Sequence, residues 1–153
     1  MDANANLKQL KILLVDDDEI IRNSMQLAFQ QKGLQLQTAG TAEDGLRLLG
    51  RTRYDIIISD LRLPGMSGLE FLKQAGAVDA IKLLISAYGD HEAVAEAYAQ
   101  GITDFLPKPF SMKTLWATLA MHADKRASGR RIIDLRPRKK PNRDVQKTVA
   151  VEP

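Results

Sequence analysis

The chain has 153 residues, of which 44% are hydrophobic and 27% charged, and it contains no cysteine; this fits one domain with its own core and excludes disulfide staples, thiolate zinc sites and thiol nucleophiles. A net charge of +3 hides a division, because residues 1–124 hold 12 Lys/Arg against 16 Asp/Glu whereas residues 125–153 hold 10 against 3. No apolar run approaches the roughly 20 residues that cross a bilayer, and the start MDANANLKQLK lacks the apolar centre of a signal peptide, so a cytoplasmic protein is expected.

Taken in order, the chain divides into a leader over residues 1–9, a globular unit over 10–124 and a basic tail over 125–153. The first predicted strand covers 11–15 and is followed by a helix over 19–32, whose face carries Ile21, Met25, Ala28 and Phe29 and which stops at Gly33. A second strand at 34–39 leads to a helix that Thr41 caps and that runs through Leu49. Strand 55–59 precedes a helix over 66–76 with Leu69 and Leu72. Strand 82–86 precedes a helix capped by Asp90, bearing Val94, Ala97 and Tyr98 and ending at Gly101. The last strand, 103–106, precedes a helix opened by Ser111 and carrying Met112, Leu115, Trp116 and Leu119.

Several strands are unbroken apolar runs (ILLV, IIIS, LLIS), as in strands buried on both faces of a parallel sheet. Five strand-then-helix repeats predict an α/β fold with helices on both sides of that sheet. The tail, with Pro137, Pro141 and Pro153 and little amphipathic pattern, is read as disordered and solvated. His91 and His122 stand far from each other in the sequence and are read as surface residues.

In open parallel sheets ligands bind beyond the carboxyl ends of the strands. Asp16-Asp17-Asp18 follows the first strand, Asp60 the third, Ser86 the fourth, and Lys108, between Pro107 and Pro109, the fifth. Two readings of the acidic run are open. Clustered carboxylates repel unless a cation joins them, which points to a hard divalent ion such as Mg²⁺; acidic residues also complement a helix N-terminus, which suits Asp18 and Glu19. Asp60 favours the first reading for its neighbours, since it precedes a loop, LRLPG. Ser86 is either a turn residue or a working hydroxyl.

At this point the chain resembles the receiver domain of two-component response regulators, carried by KILLVDDD at 11–18, DIIISDLRLPGMSGLEFL at 55–72, LLISAYGD at 83–90 and GITDFLPKPF at 101–110. The loops are most similar to receivers of nitrogen-regulatory activators. The resemblance implies a flavodoxin-like (βα)5 doubly wound five-stranded parallel sheet of order 2-1-3-4-5. It further implies that Asp60 is the phosphoacceptor and that Mg²⁺ (or Mn²⁺) is held by Asp16, Asp17, Asp60 and the backbone carbonyl of Arg62. Lys108 would pair with the acceptor or the phosphoryl oxygens, Pro109 would be the cis proline, and Ser86 and Phe105 would form the switch. Arg62 and Tyr88 take positions that tune phosphoryl lifetime.

The implied function is a phosphorylation-switched receiver that takes its phosphoryl group from a sensor histidine kinase or phosphotransfer protein and signals by protein–protein contact. It would catalyse only its own phosphorylation and dephosphorylation. A phosphorylation-dependent homodimer through the fourth helix, fifth strand and fifth helix is expected, and nucleic acid would be met only non-specifically through the tail. The alternative is a DNA-binding transcriptional regulator acting through the tail or through a missing C-terminal effector domain. A phosphatase of the haloacid dehalogenase type, using Asp16 and Asp18, would need Thr or Val where Ile20 stands.

Overall fold

The structure, a computed structural model, describes residues 5–76, 79–87 and 89–135, the last six by backbone alone. Strands and helices alternate as β1 (Lys11–Val15), α1 (Glu19–Gln31), β2 (Gln35–Ala39), α2 (Ala42–Arg51), β3 (Ile56–Asp60), α3 (Gly68–Gln74), β4 (Ile81–Ser86), α4 (His91–Ala99), β5 (Asp104–Pro107) and α5 (Met112–Leu135). The sheet is parallel, in order β2-β1-β3-β4-β5. This is the flavodoxin-like arrangement expected, and each strand lies within one residue of its predicted bounds.

The unbroken apolar runs are explained by a core on each face, because successive strand side chains point to opposite sides. Ile12, Leu14, Ile56, Ile58, Leu83 and Ile85 meet Met25 and Phe29 of α1 and Leu115 and Leu119 of α5. Leu13, Val15, Ile57 and Leu84 face the other way, against Ala42 of α2, Phe71 and Leu72 of α3 and Ala97 of α4. Phe29 and Phe71 are each fully buried, and cutting either to Ala would cost about 3–5 kcal/mol.

Local signals set most helix ends. Asp18 caps α1, its Oδ1 accepting from the backbone N–H of Ile20 at 2.9 Å. The helix stops where Gly33 takes φ 72°, a left-handed conformation that a Cβ would strain. Thr41 caps α2 through the Asp44 N–H at 3.0 Å, and Ser111 receives the Thr114 N–H at 3.1 Å. The expected cap of α4 differs. Asp90 stands at the N-cap position but makes no side-chain cap bond. Its carboxylate is taken by the Ala87 N–H at 3.0 Å and the Arg62 guanidinium at 2.5 Å.

Two stretches that the sequence sets apart touch the domain. Leu7, in the leader, is fully buried, and the neighbouring Asn6 side chain donates to Asp124 at 2.6 Å. At the other end α5 continues eleven residues past Asp124, to Leu135, and no proline interrupts it. Arg126, inside the stretch read as tail, donates to the backbone carbonyls of Asp55 at 3.0 Å and Asp79 at 2.9 Å. Residues 136–153 lie outside the described part of the chain. Among the described residues no helix is long and apolar enough to cross a membrane.

Candidate functional site

The sheet order sends the connections of β1 and β3 to opposite faces, and the crevice opens at their carboxyl ends. Asp16 leaves the end of β1 and Asp60 closes β3. Carboxylate oxygens of Asp16, Asp17 and Asp60 lie within 4.8 Å of one another. Asp16 and Asp60 are buried and Asp17 is exposed. From β5 the Lys108 ammonium reaches Asp60 Oδ2 at 2.8 Å, while Asp60 Oδ1 accepts the Arg62 N–H at 3.1 Å. These groups line a cavity of about 770 Å³ whose apolar side is formed by Ile21, Met25, Phe110 and Met112. The structure thus brings Asp16, Asp17, Asp60 and Lys108 together as the strand ends foretold.

Their charges do not balance. Burial raises the Asp16 carboxyl above its ordinary value; the Asp18 N–H, donating to Oδ1 at 2.9 Å, works against this, and the nearby Asp60 adds to it. For Lys108, burial pulls the ammonium down, but the hydrogen bond and charge of Asp60, with Asp16 and Asp17 behind, win and raise it. Three carboxylates around one ammonium leave net negative charge in a partly dry crevice. Such a set of hard oxygen donors fits Mg²⁺, which binds through a few carboxylates and keeps waters for a phosphate ligand.

Ser86 ends β4 with 1% of its surface exposed. The register pairs Ile85 with Asp60 and Ser86 with Pro107, which sets the serine one residue beyond the level of Asp60. Its carbonyl accepts the Lys108 N–H at 2.7 Å, but among the described residues its hydroxyl has no hydrogen-bond partner. The Lys108–Pro109 peptide is cis. Phe105 is half-buried, its ring edge-on to Tyr98 at 6.1 Å, beside a cavity of about 280 Å³ that also touches Ser86, Val94 and Pro107. Tyr88 lies outside the described residues.

Two features escaped the sequence. Gly68 opens α3 so close to the acceptor strand that an added Cβ would stand 1.9 Å from the Asp60 carbonyl; only glycine lets the β3–α3 loop fold back there. His122 is not a surface residue. Its side chain is 11% exposed and its Nε2 lies 2.8 Å from Asp104 Oδ2, while the Tyr98 hydroxyl donates to Asp104 Oδ1 at 3.0 Å. The expectation failed because the partner stands eighteen residues away on another element. His91 is exposed, as expected.

The family model for the response regulator receiver domain matches residues 12–120. The chain belongs to this family. Receiver domains bind Mg²⁺ at an acidic Asp cluster, and this one assembles Asp16, Asp17 and Asp60 into such a group. Among curated relatives, the transcriptional activator protein PfeR of Pseudomonas aeruginosa is 33% identical over 114 residues, covering 74% of this chain and 37% of PfeR. The DNA-binding transcriptional regulator NtrC of Escherichia coli is 36% identical over 103 residues, covering 66% of this chain and 22% of NtrC. The receiver therefore spans well under half the length of either relative. Among solved structures, the chemotaxis response regulator CheY4 of Vibrio cholerae is 33% identical, with a TM-score of 0.66 over 72% of this chain and 95% of that one.

Proposed function

We propose that this receiver is a Mg²⁺-dependent phosphorelay switch in which Asp60 accepts a phosphoryl group from a phosphohistidine of a sensor histidine kinase or phosphotransfer protein. The observation that carries the reading is the placement of Asp60: one carboxylate oxygen on the Lys108 ammonium at 2.8 Å, and the carboxylate grouped with those of Asp16 and Asp17.

In the reaction a carboxylate oxygen of Asp60 attacks phosphorus as the phosphorus–nitrogen bond breaks. The electron pair of that bond stays with the departing imidazole. Charge spreads over the three equatorial oxygens in such a transfer, and catalysis is mostly positioning and electrostatic stabilisation. Lys108 supplies a fixed cation beside the acceptor. The Arg62 N–H orients the other oxygen of the carboxylate. Asp16, Asp17, Asp60 and the Arg62 carbonyl would hold Mg²⁺, which when bound offsets phosphoryl charge.

Ser86 then donates its hydroxyl to a phosphoryl oxygen, and Phe105 follows into the adjoining cavity. That movement changes the surface of α4, β5 and α5, through which a protein partner or a second copy reads the state. We place this exchange in the cytoplasm, where a kinase of this class presents its phosphohistidine. The transcriptional names of the relatives concern longer proteins and do not carry DNA binding to this chain.

Acetyl phosphate with Mg²⁺ tests the assignment by intact-mass spectrometry. One added phosphoryl group is expected on the natural chain and none on Asp60→Asn; labelling that persists in the variant refutes it.

A further inference from the structure

We propose that Arg22 is a positioning residue of the acidic site: its guanidinium, seated against Gly40, holds the peptide carbonyl of Asp16 and thereby fixes the carboxylates that receive the cation. The inference rests on the metal-binding reading above.

Asp16 is where β1 leaves the sheet. Its N–H still donates to the Ala39 carbonyl of β2 at 3.1 Å, and its carboxylate Oδ1 accepts the Asp18 N–H at 2.9 Å. Its carbonyl has passed beyond the strand ladder, and Arg22 Nη1 donates to it at 2.9 Å. Arg22 is the fourth residue of α1, so this bond ties the helix to the strand end that precedes it. With amide, carbonyl and carboxylate all held, Asp16 has little freedom to turn, and Asp17 follows it directly.

The guanidinium is held from the other side too. A Cβ built on Gly40 would stand 3.0 Å from Arg22 Nη1 and 3.2 Å from Cζ. The absent side chain at Gly40 is the room in which Arg22 lies, and Gly40 needs no left-handed backbone to explain it. One planar group thus joins the end of β1, the first turns of α1 and the turn between β2 and α2. Lysine, a point charge on a flexible stem, would not reproduce this seat.

Charge alone predicts the opposite sign. A fixed cation beside a cation site repels the incoming ion, so a purely electrostatic Arg22 would weaken Mg²⁺ binding and its loss would tighten it. Positioning predicts that its loss weakens binding. The sign separates the two.

The test is calorimetric titration of Mg²⁺ into the full chain and into Arg22→Ala, Arg22→Lys, Gly40→Ala, the Arg22→Ala/Gly40→Ala pair and Asp17→Ala, with circular dichroism showing that each is folded. Arg22→Ala is expected to weaken Mg²⁺ affinity roughly three- to tenfold, the worth of one ordering hydrogen bond, and Arg22→Lys to recover little of it. Gly40→Ala displaces only the far end of a flexible side chain, so it keeps the fold and is expected to weaken affinity in the same direction. In the Arg22→Ala background it should add nothing further. Unchanged or tighter binding in Arg22→Ala, or independent additive effects of the two changes, overturns the proposal. If Arg22→Ala does not fold, Gly40→Ala decides alone: natural affinity overturns the proposal and weakened affinity supports it. Loss of binding in Asp17→Ala with natural affinity in the Arg22 and Gly40 variants defeats this inference and leaves the metal reading standing. Natural affinity in Asp17→Ala defeats both.

Discussion

The acidic corner at β1 and β3 and the face made by α4, β5 and α5 both withdraw a carboxylate from water, and they do so in opposite ways. At the corner Asp16 faces Asp60 and Asp17, with Lys108 as the nearby ammonium, and burial drives its carboxyl up. On the face, burial also pushes the Asp104 carboxyl up, but hydrogen bonds from His122, the Phe105 N–H and Tyr98 outweigh it and hold the carboxyl below its usual range. The first arrangement is incomplete and calls for something from outside. The second is satisfied from within, and it fastens α4 and α5 to β5 through a single side chain. Incomplete electrostatics mark the ligand site; completed electrostatics mark the frame that transmits its state.

The sharpest way to break this comparison is to remove one carboxylate from the corner. Asp17→Ala is expected to lower Mg²⁺ affinity on the order of 100-fold, at or above the effect of removing a group that merely orients a ligand, and the rate of labelling by acetyl phosphate should fall with it. Chelating Mg²⁺ from the natural chain should stop labelling altogether. Affinity and rate left unchanged in Asp17→Ala would return the acidic run to a role at the α1 N-terminus.

On the face, Asp104→Ala should destabilise the fold by about 1–2 kcal/mol, because His122 and the Tyr98 hydroxyl lose a half-buried partner; urea unfolding measures it. The pH dependence has a definite sign. A carboxyl held low in the folded state stabilises above its unfolded value, near 3.8, and that contribution disappears as pH falls through the lower folded value. The gap between natural chain and variant should therefore be full at neutral pH and close only in strong acid. A gap that stays constant down to pH 3 would mean that the carboxylate charge contributes nothing.

A smaller effect of opposite sign is expected at the corner. Asp16→Asn keeps the acceptor for the Asp18 N–H but removes a buried charge beside two others. With Mg²⁺ chelated, it should raise Tm by a few degrees, of the size that about 1 kcal/mol gives in a domain like this, while losing metal binding. This exchange of stability for function is common where like charges are gathered for a ligand. A lowered Tm under the same conditions would show that the corner is internally satisfied after all.

Which parts of this were legible in the sequence follows from the range of the interactions. Asp16, Asp17, Asp60 and Lys108 each stand at the end of an apolar run, so the run fixes both the strand and the place where the charge emerges. Helix ends were legible wherever the partner was local, as for Asp18 and Thr41. Asp90 was misread as a cap because Arg62, twenty-eight residues earlier in the chain, competes for its carboxylate. His122 and Asp104 gave no signal, since neither neighbourhood mentions the other. Gly68 falls inside a predicted helix with nothing to single it out, and only the fold shows the acceptor's carbonyl in the way of a side chain. The boundary near Asp124 came from a change of charge, and charge does not end a helix. Lys and Arg are good helix formers, so α5 runs on through Lys125, Arg126, Arg130 and Arg131 to Leu135.

That last point can be tested where the effect should be smallest. Ala123 is the last residue of the described core, and Arg126 ties α5 to the body of the domain through two backbone carbonyls. Beyond it come Ser128 and Gly129, weak helix formers, and a last turn with no basic residue to complement the helix dipole. A chain ending at Ala127 keeps both anchors, so its unfolding free energy should match that of the full chain within about 0.5 kcal/mol, and it should accept one phosphoryl group as readily. A chain ending at Asp124 loses Arg126 and its bonds to the Asp55 and Asp79 carbonyls. Bonds to a charged donor that is 14% exposed should make that cut cost about 1–3 kcal/mol. Equal stability for the two shortened chains would put the edge of the domain back at Asp124. A clear loss already at Ala127 would extend it through the rest of α5, and would join the basic segment to the frame that α4, β5 and α5 share.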